Sequence, residues 1–363
     1  MYVAPRPHPD DDPLFALRLA SGAVLGFVLA VLFQSQMPML PPALIVGLMA
    51  GMRKSFDVKK AVGGPVAMIA MVLVISMLID FTRPMPLVLI LLVWALCVLS
   101  YYLIMATGNG IGMLVAIVTV LMSVMRMSSA AAMNVLRDGF IEGSLCALAA
   151  IPILYLVYPP RTTEMAVEVT QPAKESHHVM RAVIRGTVLL IMAFWLYSVL
   201  GSSNLMLAVA AVFVLVFPTA HQQFAEARER TISTILAAVI SGVILTIFGL
   251  VAHFHILLVL ISLAGLWLGS QMMSGSYPPM VYQFAFSGVI SMVAGALTTQ
   301  EPVGAMTLRI SLTLVGAVGA AFMTAFLEKI LIPPDAAPAS GMTSERIDPE
   351  SEASLAARDG TAA

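Results

Sequence analysis

Four arginines, Arg18, Arg137, Arg185 and Arg309, lie inside or at the edge of long apolar stretches. A guanidinium does not shed its proton, and at membrane depth it is costly enough to be read as functional by default. Arg18 and Arg185 each stand about one turn into the first apolar run of a half of the chain, where they are candidates for an electropositive entry to an organic anion. Their alternative is snorkelling, in which the long stem carries the charge back to lipid phosphates. Arg137 and Arg309 fall toward the opposite side, as candidates to hold a carboxylate before its release or as helix anchors. Asp138 and Glu142 stand at i and i+4 on one helical face. Such a carboxylate pair can carry protons, or Arg137 and Arg126 can neutralise it at the membrane surface. Asp80 is expected to pair with Arg83.

Two glycine-containing breaks add candidates. Thr107-Gly108-Asn109-Gly110 and Ser274-Gly275-Ser276-Tyr277-Pro278-Pro279 interrupt apolar runs, so helices starting after Asn109 and Tyr277 would point a positive dipole end at an anion if the breaks sink into the membrane. An ordinary turn is the alternative. Asn109 and Tyr277 therefore join the four arginines as substrate-binding candidates. Gly51-Met52-Arg53-Lys54-Ser55 fails as a phosphate loop, because Arg53 stands where a glycine is needed. His253 and His255 lack a third ligand, and Cys97 and Cys146 lie within apolar runs. No metal, cofactor or catalytic group is expected, and an enzyme is the least supported class. The pairs Gly22-xxx-Gly26, Gly47-xxx-Gly51 and Gly265-xxx-Gly269 are expected to let helices approach closely. The 26 methionines suit adaptable apolar surfaces or ordinary lipid-facing positions.

These groups must be carried by membrane helices. Of 363 residues, 60% are hydrophobic and 11% charged, with mean hydropathy +0.95. Average soluble domains carry about 25% charged residues, so a soluble fold is excluded. A net charge of -1 leaves no surplus for a phosphate backbone, and nucleic acid is not an expected partner. Twelve apolar runs emerge, and unbroken runs of this length form helices rather than barrel strands. They cover approximately Leu14 to Phe33, Met37 to Met52, Ala61 to Ile79, Met85 to Met105, Ile111 to Met125 and Gly139 to Val157. The remainder are Ala182 to Leu200, Leu205 to Ala220, Ile232 to Val251, Ile256 to Met272, Pro279 to Ala296 and Val303 to Leu331. Most of the 19 Lys and Arg residues fall on one side if the amino terminus faces the cytoplasm, which puts both termini inside. Acidic residues before the first run argue against a cleaved leader, and Asp12-Pro13 is expected to cap the first helix.

The expected fold is all-α: a polytopic helical membrane protein of about twelve spans arranged as two parallel six-helix repeats. A cytoplasmic segment, 1–13, precedes a first repeat at 14–158. A cytoplasmic linker, 159–181, separates it from a second repeat at 182–331, and a disordered tail follows at 332–363. The repeat rests on an offset: Arg18 moved on by 167 residues is Arg185, and Thr107-Gly108 becomes Ser274-Gly275. With five inserted residues, Leu136-Arg137 becomes Leu308-Arg309. Six spans per unit make the repeats parallel, which places substrate at their interface.

Arg18, the Leu40-Pro41-Pro42-Ala43-Leu44 segment, Lys59, Lys60 and Gly63-Gly64, followed in the second half by Arg185, Glu229-Arg230-Thr231 and Gly242, resemble the fusaric acid resistance type of membrane protein. That type includes bacterial aromatic carboxylic acid exporters. The present chain resembles a short form without large soluble domains. The resemblance implies an inner-membrane exporter of small aromatic or hydrophobic carboxylic acids, with proton coupling assigned here to Asp138 and Glu142. It also implies a periplasmic membrane-fusion adaptor as partner, beside the bilayer and the organic anion. Related plant anion channels resemble one such six-helix unit, so an organic-anion channel is the competing class, and a noncatalytic scaffold for an efflux adaptor is a third.

Overall fold

The computed structural model describes residues 12–53, 55–107, 111–161, 178–199, 223–298 and 302–331. These form eleven helices: α1 (Phe15–Leu32), α2 (Leu40–Ala50), α3 (Val58–Thr82), α4 (Pro86–Thr107), α5 (Ile111–Ser128), α6 (Ala130–Val157), α7 (His178–Val199), α8 (Gln223–Leu250), α9 (Phe254–Ser274), α10 (Pro279–Thr298) and α11 (Pro302–Leu331). No strand occurs among the described residues. Ten of these helices are long and apolar enough to cross a membrane, whereas α2 is too short. The outer surface is correspondingly apolar. Phe81, Leu156 and Leu250 are each more than 80% exposed, a pattern suited to hydrocarbon rather than water.

The expected run Leu205 to Ala220 lies outside the described residues, as do most of the linker and the tail. Elsewhere the helices extend beyond the hydropathy runs. Helix α6 starts at Ala130 instead of Gly139, because Ser129 Oγ accepts the Ala132 N–H and an Ala-rich first turn carries the helix through Arg137 and Asp138. Helix α8 starts at Gln223 instead of Ile232, and α7 at His178 instead of Ala182, since polar first turns are compatible with helix but break an apolar run. At α3, the Asp57 carboxylate accepts the Lys59 and Lys60 N–H groups. Asp12 departs from its expected role. Leu14 occupies the cap position of α1 without a side-chain bond, and the Asp12 carboxylate turns to Arg18.

Helix α1 packs on α2, α6 and α9, and α4 packs on α5 and α7. Helix α8 lies against α10 and α11, while α2 touches α10 across the two halves of the chain. The two long contacts between the halves are both tight at a glycine. A Cβ on Gly265 of α9 would fall 2.9 Å from the Ala20 Cα, and one on Gly186 of α7 would fall 2.9 Å from the Val98 Cα. Val98 and Gly265 are themselves 167 residues apart. Gly26 lies hard against Pro42, where a Cβ would come within 2.4 Å of the Pro42 Cα. Gly47 is different, with no atom within 4 Å of a would-be Cβ, so the close packing expected there is not made.

Candidate functional site

Between the halves lies a cavity of about 330 Å³, walled by α2, α3, α5 and α6 on one side and by α8 and α10 on the other. The two walls differ in chemistry. Leu44, Met68, Met113 and Phe140 make the first-half wall largely apolar, with Ser144 as its hydroxyl. The second-half wall carries Arg230, Ser233, Thr234, Gln283, Ser287 and Ser291. Helical spacing assembles this polar wall: Arg230, Ser233, Thr234 and Ala237 recur at i, i+3, i+4 and i+7 on α8, and Gln283, Ser287 and Ser291 at every fourth position on α10.

Arg230 is buried, and its guanidinium carbon stands 4.0 Å from the centre of the Phe284 ring. Stacking on an aromatic face holds the planar cation at the cavity wall. The Arg230 carbonyl accepts from Ser233 Oγ at 2.8 Å and from Thr234 Oγ1 at 2.8 Å. Those hydroxyl protons are thereby committed to the backbone, which leaves the two oxygens as acceptors. Gln283 Nε2 donates to the Gly47 carbonyl at 3.5 Å, a contact that bridges the halves across the cavity wall. The start of α2 also borders the cavity but is a poor anion site. Pro41 and Pro42 have no N–H, and Ala43 N–H donates to the Met39 carbonyl.

The residues expected from the sequence to bind substrate or carry protons lie elsewhere, and none of those described lines the cavity. Arg18 is fully buried and paired with Asp12, its Nη1 donates to the Tyr158 carbonyl at 2.9 Å, and its guanidinium lies 4.3 Å from the centre of the Tyr155 ring. Tyr155 in turn donates to the Met52 carbonyl, and its ring lies tilted against Phe56 with centres 5.0 Å apart. Arg185 donates through Nε to Glu328 of α11 at 3.1 Å. Arg137 bonds its neighbour Asp138 at 2.9 Å, and Asp138 is exposed. Glu142 is partly buried, and its Oε1 has no hydrogen-bond partner. Asp80 pairs with Arg126 of α5 at 2.9 Å, so the expected local pairing with Arg83 gives way to a contact between helices. Tyr277 N–H donates to the Tyr282 hydroxyl, and Tyr277 is exposed. Arg309 belongs to α11 with its side chain outside the described residues, and Asn109 lies outside them altogether.

Arg230 and Ser144 were missed as site residues. Arg230 follows Arg228 and Glu229, so it reads as part of a charged loop; the signal that distinguishes it is the run of hydroxyls three and four residues later. Among the described residues, no three His, Cys, Asp or Glu side chains gather where a metal ion would fit.

Residues 190–323 match a family described as fusaric acid resistance protein-like. Residues 15–157 match a family described as a protein of unknown function, DUF2955. No curated protein and no solved structure matches the chain. The cavity is thus shared between two family segments, with α2, α3, α5 and α6 inside the first and α8 and α10 inside the second. With its membrane-crossing helices, the chain is a polytopic helical membrane protein whose second half is similar to the fusaric acid resistance protein-like family.

Proposed function

We propose that the protein is an inner-membrane secondary transporter that exports small aromatic or hydrophobic carboxylic acids, with both termini cytoplasmic, and that the cavity between the halves is its substrate site. The observation that carries this reading is Arg230: one buried cation, stacked on Phe284, at the polar wall of an otherwise methionine- and leucine-rich cavity. Its volume falls in the range of small-molecule sites, which run from about 300 to 1,000 Å³. A carboxylate meeting Arg230 gains a charge-assisted bond in low dielectric, while an apolar or aromatic body replaces water against Met68, Met113 and Phe140. The family match supports membrane transport over catalysis. The paired contacts α1 with α9 and α4 with α7 support a repeated arrangement of the two halves.

In this scheme Arg18, Arg185, Arg137 and Arg309 serve the approach and release of the anion around the central site, with Asn109 and Tyr277 at the breaks. Glu142, its Oε1 unpartnered, accepts the proton that drives export, and Asp138 is its companion. A periplasmic adaptor would continue the path outward.

The test is efflux of labelled benzoate from proteoliposomes under an imposed proton gradient. Arg230→Gln is expected to weaken benzoate binding at least about tenfold, the scale of a lost charge-assisted bond, with partial recovery in Arg230→Lys. Glu142→Gln is expected to keep binding and lose gradient-driven efflux. Wild-type binding in Arg230→Gln would move the site elsewhere, and current at unitary channel rates without proton coupling would make the protein a channel.

A further inference from the structure

The cavity has a second polar anchor that the carboxylate does not use. We infer that Ser144 is a specificity-determining contact, which takes a neutral hydrogen-bonding group on the ligand's far end; the inference rests on the cavity being the substrate site. Ser144 is 1% exposed, lines the cavity from α6, and its Oγ has no hydrogen-bond partner. Several other buried serines answer their hydroxyl within their own helix. Ser76, Ser100, Ser123 and Ser233 all donate to a carbonyl three residues back, at 3.0, 2.6, 3.0 and 2.8 Å. Back-bonding is the ordinary way for a helical hydroxyl to satisfy itself in an apolar medium. Ser144, on the first-half wall, makes no such bond, so its donor and lone pairs are unanswered within the protein. Ser55, Thr119 and Ser241 also carry buried unpartnered hydroxyls, but none of the three lines the cavity.

The geometry divides the labour between halves. Arg230 on α8 supplies the charge, and Ser144 on α6 supplies a neutral donor and acceptor in the otherwise apolar first-half wall. An unsatisfied buried hydroxyl penalises a ligand that presents only carbon to it, and a site built to bond a hydroxyl rejects the analogue that lacks it. Ser144 therefore sets a preference among carboxylates of equal size for those bearing a second polar group away from the carboxylate.

Benzoates substituted with methyl or hydroxyl at the 3- or 4-position test this, since the two substituents are close in size and differ in hydrogen bonding. Binding to the full-length protein in lipid nanodiscs is measured by titration calorimetry. For at least one position, wild type is expected to favour the hydroxyl probe over its methyl partner by about five- to tenfold. In Ser144→Ala that ratio falls to about one, whereas Thr119→Val keeps the wild-type ratio. Thermal unfolding of each variant checks folding, and Ser144→Cys, with a weaker donor and a lower expected ratio, stands in if the alanine variant does not fold. A wild-type ratio of one at both positions, a wild-type ratio retained in folded Ser144→Ala, or loss of both probes in that variant overturns the assignment. Arg230→Gln separates the two ideas: unchanged binding of all probes there removes the carboxylate reading, while the hydroxyl-to-methyl ratio continues to report on Ser144.

Discussion

Arg18 and Arg185 occupy equivalent places, each early in the first helix of its half, yet they are held differently. Arg18 is enclosed by Asp12, six residues earlier, by the Tyr158 carbonyl and by the Tyr155 ring. Arg185 has one carboxylate partner, Glu328, drawn from the far end of the chain, and its Nη1 and Nη2 are buried without a hydrogen-bond partner. Both arginines reach the closing turns of the last helix of their own half, α6 for Arg18 and α11 for Arg185. The shared position therefore specifies which helices are tied together. The partner specifies how firmly, because a buried guanidinium is stable only to the extent that its donors are answered.

The sharpest way to break this comparison is at Asp12. Asp12→Ala leaves Arg18 as an uncompensated buried charge, and a loss of about 3 to 5 kcal/mol is expected. Thermal unfolding in detergent, scored by intrinsic fluorescence, reads it directly; an unchanged melting profile would mean that Tyr155 and Tyr158 alone hold Arg18. Glu328→Gln keeps the shape and removes the charge, so the expected loss is smaller, about 1.5 to 3 kcal/mol, the scale of one hydrogen bond to a charged group. Equal losses in the two variants would erase the distinction drawn between the halves. The mildest probe is packing. Gly186→Ala and Gly265→Ala each force a Cβ against the backbone of the opposing helix, and each should cost about 1 to 3 kcal/mol. A large difference between those two costs would show that the α4 to α7 and α1 to α9 contacts are not built alike.

Much of the fold was legible because hydrophobic length and charge placement are one-dimensional signals. Apolar runs found ten helices long and apolar enough to cross a membrane. Helix starts were less legible, since Arg137 and Asp138 interrupt an apolar run without interrupting α6. The site was least legible. An intramembrane arginine announces a charge but not its partner, and Asp12 and Glu328 had no local signature linking them to Arg18 and Arg185. Arg230 was hidden among neighbouring charges, and Ser144 among the many serines whose hydroxyls bond their own helix. Only the assembled bundle distinguishes a hydroxyl that is satisfied from one that faces a cavity.

Helix α2 bears on how the protein is made. Its 11 residues rise only about 16 Å, roughly half of a 30 Å hydrocarbon layer, so it has no means of crossing alone. Its seat is cut from Gly22 and Gly26 of α1 and from Gly139 and Gly143 of α6, whose missing side chains admit Ile45, Pro42, Leu40 and Leu44. The α1 part of that seat exists when α2 leaves the ribosome, but the α6 part is still untranslated. At synthesis rates of about 5 to 20 residues per second, the remaining stretch takes roughly 5 to 20 s to appear. During biogenesis α2 is thus a passenger of α1, parked against one glycine face until the other arrives, and the first half closes only when α6 has been inserted.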